Sequence, residues 1–270
     1  MRTRILVGIA LALMLITILY FGGMVFFVMI TLFSLAAVYE MGRAFRNKEY
    51  HPMLIPAYVF AASYVFVYNY IGIAEVIMLF LISITVTIMI CMFSKKFQVP
   101  DAIISLFIHI YPLLFLVCMM LVYCSFDRPI GLTAACLAYA GPSCADAFAY
   151  FGGTFFGKHK LCPDISPKKT VEGSAFAVLG GVVFGALMIP LQTLWGSNIN
   201  FGLLLFLGLA CGIFSQIGDL FASYIKRWVG VKDFSSVFPG HGGIMDRIDS
   251  ILICSPIVLG CFAIARLMRI

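Results

Sequence analysis

Apolar runs long enough to cross a lipid bilayer follow one another along this chain, and they constrain its fold more than any motif does. The hydrocarbon core is about 30 Å thick, so a helix rising about 1.5 Å per residue crosses it in about 20 residues. Nine segments meet that requirement, near 5–21, 24–39, 54–72, 73–94, 102–124, 131–153, 174–195, 201–225 and 245–268. The chain is 63% hydrophobic and 11% charged, against roughly 25% charged in an ordinary soluble domain. No soluble core could hide that much apolar surface. The expected architecture is all-α: a polytopic integral membrane helix bundle of about nine transmembrane helices. Only Gly22 and Gly23 separate the first two segments, which could therefore form one re-entrant unit. The first follows Met1-Arg-Thr-Arg with no small-residue cleavage site after it, so it reads as a retained helix.

Positive residues concentrate on the cytoplasmic side of membrane proteins. With nine spans and the N-terminus inside, only Arg128, Arg266 and Arg269 of the 18 lysines and arginines fall outside. The net charge of +6 then reflects topology as well as substrate, and it calls for no nucleic-acid partner. The nine cysteines are odd in number, contain no C-x-x-C pair and, except Cys162, lie in or at the end of apolar segments. They read as small hydrophobes, not as a disulfide framework or a zinc site.

Chemistry is distributed unevenly. Residues 1–125 read as an N-terminal transmembrane scaffold or dimer surface, with Glu40, Glu49, Glu75 and Asp101 at segment ends, where a solvated carboxylate costs little. Residues 126–270 read as the catalytic region. Asp146 follows Pro142 by about a turn within an apolar segment, and Asp219 raises the same question further on. An aspartate at a helix centre costs about 2.5–3.5 kcal/mol on insertion scales, so each should face a cavity, a cation or a basic partner. Asp219, Ser223 and Lys226 fall at i, i+4 and i+7, one polar stripe on an apolar helix.

Between the two aspartates, Gly152 to Lys158 fits G-x-x-x-x-G-K. A phosphate-binding P-loop is excluded, because His159 stands where Ser or Thr would hold Mg²⁺ and a membrane helix precedes in place of a strand. The run Ser166-Pro-Lys-Lys-Thr170, followed by Glu172-Gly173, is more informative: adjacent lysines in a proline-stiffened loop can grip phosphates, although a double lysine also serves as a positive-inside marker. Gly181 with Gly185, and Gly208 with Gly212, form G-x-x-x-G pairs, which are packing devices for close helix contact.

The densest chemistry lies in Ser223 to Asp249, SYIKRWVGVKDFSSVFPGHGGIMDRID. Lys226, Arg227 and Lys232 can neutralise phosphate oxygens, the arginine bidentately. Gly240, Gly242 and Gly243 permit a turn whose N–H groups face inward as an anion-binding nest. Asp246 and Asp249 share one helix face. Carboxylates beside a phosphate site repel the ligand unless a hard cation such as Mg²⁺ intervenes, taking a few carboxylates plus the substrate's own phosphates. The alternative is a solvated, positively charged cytoplasmic connection.

This stretch resembles the signature of the phosphatidate cytidylyltransferases (CDP-diacylglycerol synthases), S-x-x-K-R-x4-K-D-x-[GSA]-x2-[LIF]-[PGS]-x-H-G-G-x-x-D-R-x-D. It meets every fixed position, at Ser223, Lys226, Arg227, Lys232, Asp233, Ser235, Phe238, Pro239, His241, Gly242, Gly243, Asp246, Arg247 and Asp249. The family is similar upstream too, with an aspartate before a glycine-rich run and S-P-K-K-T-x-E-G after it; this sequence supplies Asp146, Lys168, Lys169, Thr170 and Glu172. The resemblance covers roughly residues 142–250.

The resemblance implies an integral membrane enzyme of the cell inner (plasma) membrane that joins CTP to phosphatidic acid on the cytoplasmic side, for phospholipid biosynthesis. Asp219 and Asp246 are then the foremost metal ligands, with Asp146, Glu172 and Asp249 as further ligands or as supports for them. Lys168, Lys169, Lys226, Arg227, Lys232 and His241 would hold phosphates; Thr170, Ser223, Gly242, Gly243 and Arg247 complete the substrate site. The family likeness also implies Mg²⁺, a monovalent cation such as K⁺, surrounding lipids and a homodimer. A CTP-dependent lipid kinase would need many of the same parts. A polytopic transporter would show an internal repeat, which is not found, and the D-G-x-x-A-R-x8-G-x3-D-x3-D pattern of CDP-alcohol phosphotransferases is absent. The charge split makes a testable prediction: in a cysteine-free background, Asp164→Cys and Ser235→Cys should react only with reagent on the cytoplasmic side, and Asn198→Cys only from the other. Labelling of positions 198 and 235 from one side would overturn the nine-span topology.

Overall fold

A computed structural model describes residues 2–238, 240 and 242–268. The described chain is almost wholly helical, as the apolar runs require. Its helices are α1 (Arg2–Phe21), α2 (Gly23–Arg46), α3 (Ile55–Tyr70), α4 (Ile73–Phe93), α5 (Val99–Ile108), α6 (Phe115–Cys124), α7 (Arg128–Ala135), α8 (Gly141–Phe156), α9 (Val171–Leu191), α10 (Phe201–Trp228) and α11 (Met245–Met268). A wide turn at His109–Leu114 joins α5 to α6 around Pro112, which cannot donate to the helix ladder, and a second at Cys136–Ala140 joins α7 to α8.

Each of the nine apolar segments falls on helix. Six of the described helical runs are long and apolar enough to cross a membrane: Gly23–Arg46, Ile73–Phe93, Val99–Cys124, Val171–Trp195, Phe201–Trp228 and Met245–Met268. The count of nine is not confirmed. At 16 residues, α3 is about 24 Å long, short of the hydrocarbon thickness. The chain is an all-α, multi-pass membrane protein. Gly22 and Gly23, at φ of 57° and 48°, interrupt the helix between α1 and α2.

The chain divides into two compact units, neither continuous in sequence: residues 1–117 with 226–247, and residues 118–225 with 248–270. In the first, Phe60 stacks on Tyr64, whose hydroxyl lies 2.9 Å from Ser34 Oγ. The carboxylate of Asp101 accepts the N–H of Gln98 and, from the segment before α3, the N–H of His51. The end of α10 belongs to this unit: Trp228 stacks on Tyr50 and carries Lys48 over its ring. The expectation of four solvated carboxylates holds for Glu49 and Glu75, which are exposed. It fails for Asp101 and Glu40, which are 5% and 1% exposed because neighbouring segments supply hydrogen-bond donors in place of water.

In the second unit α8, α9, α10 and α11 pack at small residues, as the G-x-x-x-G pairs anticipate. A Cβ on Gly181 would sit 2.3 Å from Gly208 O, one on Gly208 2.4 Å from Gly181 O, and one on Gly185 2.5 Å from Leu204 O. Gly218 of α10 meets the backbone of Asp249 in α11 in the same way, at 2.5 Å. The stretch between α8 and α9 is an antiparallel hairpin, β1 (Lys160–Cys162) against β2 (Ser166–Thr170), where the sequence suggested a loop. The residues before Gly157 are helical, which bears out rejection of the P-loop.

These contacts set an expectation for stability. Gly181→Ala should lower unfolding stability in detergent by about 1–3 kcal/mol, the usual cost of overpacking. Gly260→Ala, whose new methyl meets nothing within 4 Å, should leave it unchanged. Equal melting temperatures for the two variants would contradict the close approach of α9 and α10.

Candidate functional site

Each unit carries one cluster of the predicted residues. In the first unit it is the turn between α10 and α11. Lys226, in the last turn of α10, places Nζ 2.6 Å from Asp246 Oδ1 in the first turn of α11, both residues buried. The other oxygen of Asp246 accepts the N–H groups of Phe234 and Gly243, each at 2.9 Å. Gly242 must be glycine here: its φ is +80°, and a Cβ would lie 2.7 Å from Asp246 Oδ2. The N–H of Phe238 bonds to Gly242 O and closes the turn. His241 lies outside the described residues. Lys232, Arg227 and Arg247 are exposed around the turn.

A residue from the N-terminal half completes this cluster. Glu40 of α2 accepts the Ser235 hydroxyl (2.6 Å) and the Ile244 N–H (2.9 Å) at Oε1, and the Met245 N–H (2.8 Å) at Oε2. Residues 1–125 therefore supply more than scaffold to the signature turn. A glutamate four turns into an apolar run was the available signal, but its position near the end of a segment disguised it. The N–H of Gly243, read from the sequence as a donor for phosphate, goes to Asp246, and the next two go to Glu40. Beside them a hollow of about 300 Å³ is lined by Arg43, Asn47, Asp233, Ser235 and Ser236 among others.

In the second unit a cavity of about 520 Å³ brings together Asp146 from α8, Lys168, Lys169 and Thr170 from β2, Ser174 from α9, and Gln216 and Asp219 from α10. Glycines at 153 and 173 let α8 and α9 approach around Thr170, which caps α9 by accepting the Gly173 N–H. Lys169 Nζ stands 2.7 Å from Asp219 Oδ2, with both side chains partly exposed. The hydroxyl of Ser223 reaches Asp219 Oδ1 at 3.4 Å, and Ser174 and Gln216 bond to each other across α9 and α10. The pairing of a basic side chain with Asp219 was one of the readings left open by the sequence.

Two of the predicted metal ligands in the second unit lie away from the cavity lining. Glu172 turns to the segment before β1, where its carboxylate holds His159 Nδ1 at 2.6 Å and accepts the N–H groups of Lys158 and His159. Asp249 is buried in α11 and accepts the Ser250 N–H.

Among the described residues, no three His, Cys, Asp or Glu side chains converge as a metal cage. Mg²⁺ does not require one, since it binds through one or two carboxylates together with substrate phosphates and water. Asp146 and Asp219, with hydroxyl and amide oxygens around one cavity, fit that chemistry. The oxygens of Asp246 are instead engaged by an ammonium and two peptide N–H groups.

The sequence matches the cytidylyltransferase family over residues 2–265. The chain belongs to that family. Its curated relatives include phosphatidate cytidylyltransferases of Aquifex aeolicus, 40% identical over 60% of this chain and 58% of the relative; Staphylococcus aureus, 44% over 42% of each; and Synechocystis, 43% over 48% of this chain and 43% of the relative. The chain spans about half the length of the curated relatives it matches. Both clusters fall within the matched residues.

The two ion pairs should respond differently to loss of the lysine. Lys226→Met leaves Asp246 buried without its counter-ion and should destabilise the protein by about 3–5 kcal/mol. Lys169→Met breaks a pair that water reaches and should cost about 1 kcal/mol or less. Denaturant unfolding of the two variants in one detergent checks this; similar midpoints would contradict the burial of the Lys226–Asp246 pair.

Proposed function

We propose that this protein transfers a cytidylyl group from CTP to phosphatidic acid, releasing pyrophosphate and forming CDP-diacylglycerol. The observation that carries the reading is the 520 Å³ cavity, in which two lysines and two aspartates line one space in a membrane protein. The activity named for the relatives fits it. Both substrates are phosphates, so the site must hold two anions together long enough to react.

The chain's own groups suit a direct displacement. An oxygen of the lipid phosphate attacks the α-phosphorus of CTP; that P–O bond forms as the bond to the β-phosphate bridging oxygen breaks, and pyrophosphate leaves with the electron pair. A phosphate monoester is already anionic near neutral pH, so the step needs no dedicated base. Lys168 and Lys169 neutralise and orient phosphate oxygens, which supplies both proximity and stabilisation of developing charge. Asp219 holds Lys169 in the cavity until phosphate arrives. Asp146 and Asp219 would hold Mg²⁺, which screens the phosphates from each other and from the carboxylates. Thr170 fixes the start of α9, and with it the approach of β2 to the cavity.

The fifteen basic residues assigned to one side support a cytoplasmic site in the inner membrane, where CTP is available. The exposed apolar faces of a multi-pass bundle are compatible with a homodimer in lipid.

Purified protein given CTP, Mg²⁺ and phosphatidic acid should yield CDP-diacylglycerol and one pyrophosphate per lipid. A phosphorylated lipid with release of CDP would make it a kinase instead. CTP made chiral by sulfur at the α-phosphate should give inversion; retention, or a trapped cytidylyl-protein, would replace direct transfer with a covalent intermediate. Asp219→Asn should lower turnover roughly a thousandfold with little change in melting temperature, and near-normal turnover would remove that carboxylate from the reaction.

A further inference from the structure

Three successive peptide N–H groups at the start of α11 are all donated to side-chain carboxylates. Gly243 gives its hydrogen to Asp246, whereas Ile244 and Met245 give theirs to the two oxygens of one residue, Glu40. Consecutive N–H groups converging at a helix N-terminus form an anion site, because the unsatisfied donors and the helix dipole both favour negative charge. Glu40 arrives there from α2, 204 positions before Ile244. It is 1% exposed and, among the described residues, has no lysine, arginine or histidine nitrogen within 4 Å. A buried carboxylate without a counter-ion is costly unless oriented donors replace its water. The two N–H groups and the Ser235 hydroxyl are those donors.

Gly243 shows that the fit is specific. A Cβ there would lie 2.5 Å from each oxygen of Glu40. Its side chain is therefore absent to admit the carboxylate, unlike Gly242, where a left-handed φ demands glycine.

We infer that Glu40 is the resident anion of the signature turn: it fills the backbone anion site that the glycine-rich sequence offers to a phosphate, and so acts as a positioning residue for that turn. It pins Ser235 on one limb and residues 244 and 245 on the other. Asp246 pins Phe234 and Gly243 between them, and Lys226 is held by the remaining Asp246 oxygen. The fold of the turn is thus set before any substrate binds, and substrate phosphates are left to the exposed cations around it. The kinetic consequence rests on the cytidylyltransferase reading; the occupancy of the anion site does not.

The test uses full-length protein with Glu40→Gln, nearly the same size, and Glu40→Ala, which empties the site. Hydrogen–deuterium exchange of peptides covering residues 233–246 should rise by about tenfold or more in both variants, while peptides of α9 exchange as before. Sodium formate, a small carboxylate, should restore protection in Glu40→Ala and have no effect on the wild type. In the transfer assay both variants should lose roughly a hundredfold in kcat, the order expected for a small misplacement, with KM for CTP little changed; formate should recover activity in Glu40→Ala alone. Unchanged exchange at 233–246, a rise spread evenly over the chain, or protection by formate in none of the variants would overturn the inference. If exchange and formate behave as expected but the wild type forms no CDP-diacylglycerol, the functional reading fails and the assignment of Glu40 stands.

Discussion

The contact between Lys226 and Asp246, 2.6 Å long and nearly closed to water, is the interaction on which the geometry of the signature stretch depends. It joins the last turn of α10 to the first turn of α11 and so closes the intervening segment into a turn of fixed span. The polarity of the helix ends favours this arrangement, with a cation at a C-terminus and a carboxylate at an N-terminus. Such a pair is a weak source of net stability, since desolvation offsets much of the Coulomb attraction. Its effect is on specificity: once buried, either partner without the other is expensive, which excludes alternative paths for the turn. Asp246 adds two backbone donors to the same arrangement, and Glu40 adds two more.

Helix packing in the second unit follows a different logic. Lipid tails are as apolar as leucine, so helices gain little by hiding apolar side chains from them, and close backbone approach becomes the main source of association. Gly181, Gly185 and Gly208 allow it between α9 and α10, and Gly218 between α10 and α11. Asp219 follows Gly218 directly. The residue that lets α10 lie against α11 is thus adjacent to the one that presents a carboxylate to the cavity, and packing there fixes the functional side chain within a fraction of a turn.

Much of this was legible in the sequence because it is local. Apolar runs specify helices by length alone, spacing at i and i+4 marks the glycine pairs, and the fourteen fixed positions of the signature carry the family. Asp146 and Asp219 stand out by their cost in an apolar setting and Lys168 and Lys169 by the Ser-Pro-Lys-Lys run, and one cavity brings them together. What escaped depends on contacts distant in sequence. Glu40 looked solvated because nothing near it in the chain reveals donors at 235, 244 and 245. Glu172 enters as a ligand through the family likeness, and nothing in the residues beside it reveals its bond to His159, on the far side of a hairpin. The hairpin itself is short and contains a proline, so its pattern resembled a loop. The number of membrane crossings is ambiguous for a related reason: hydropathy registers apolar character, while α3 stops after 16 residues.

Charge balance adds a step that neither cluster supplies alone. The cavity of the second unit is lined by two aspartates and two lysines, with no other charged residue among those that line it. It is therefore close to neutral before a ligand enters, and Lys169 is already committed to Asp219. The nucleoside triphosphate and lipid phosphate proposed above as substrates would each add negative charge to that space. Two lysines cannot offset them while also compensating the aspartates, and at the separations inside a cavity uncompensated like charges repel by several kcal/mol at an effective dielectric constant of about 20. The favourable course is for the phosphates to take the lysines and for cations from solution to take the carboxylates. On the proposed reading the aspartates would matter less as a ready-made cage, which the described residues do not form, than as partners that would surrender Lys169 to phosphate and accept a divalent ion in exchange. The Lys169–Asp219 ion pair would then serve as a placeholder, holding both side chains near the positions from which each would exchange its partner.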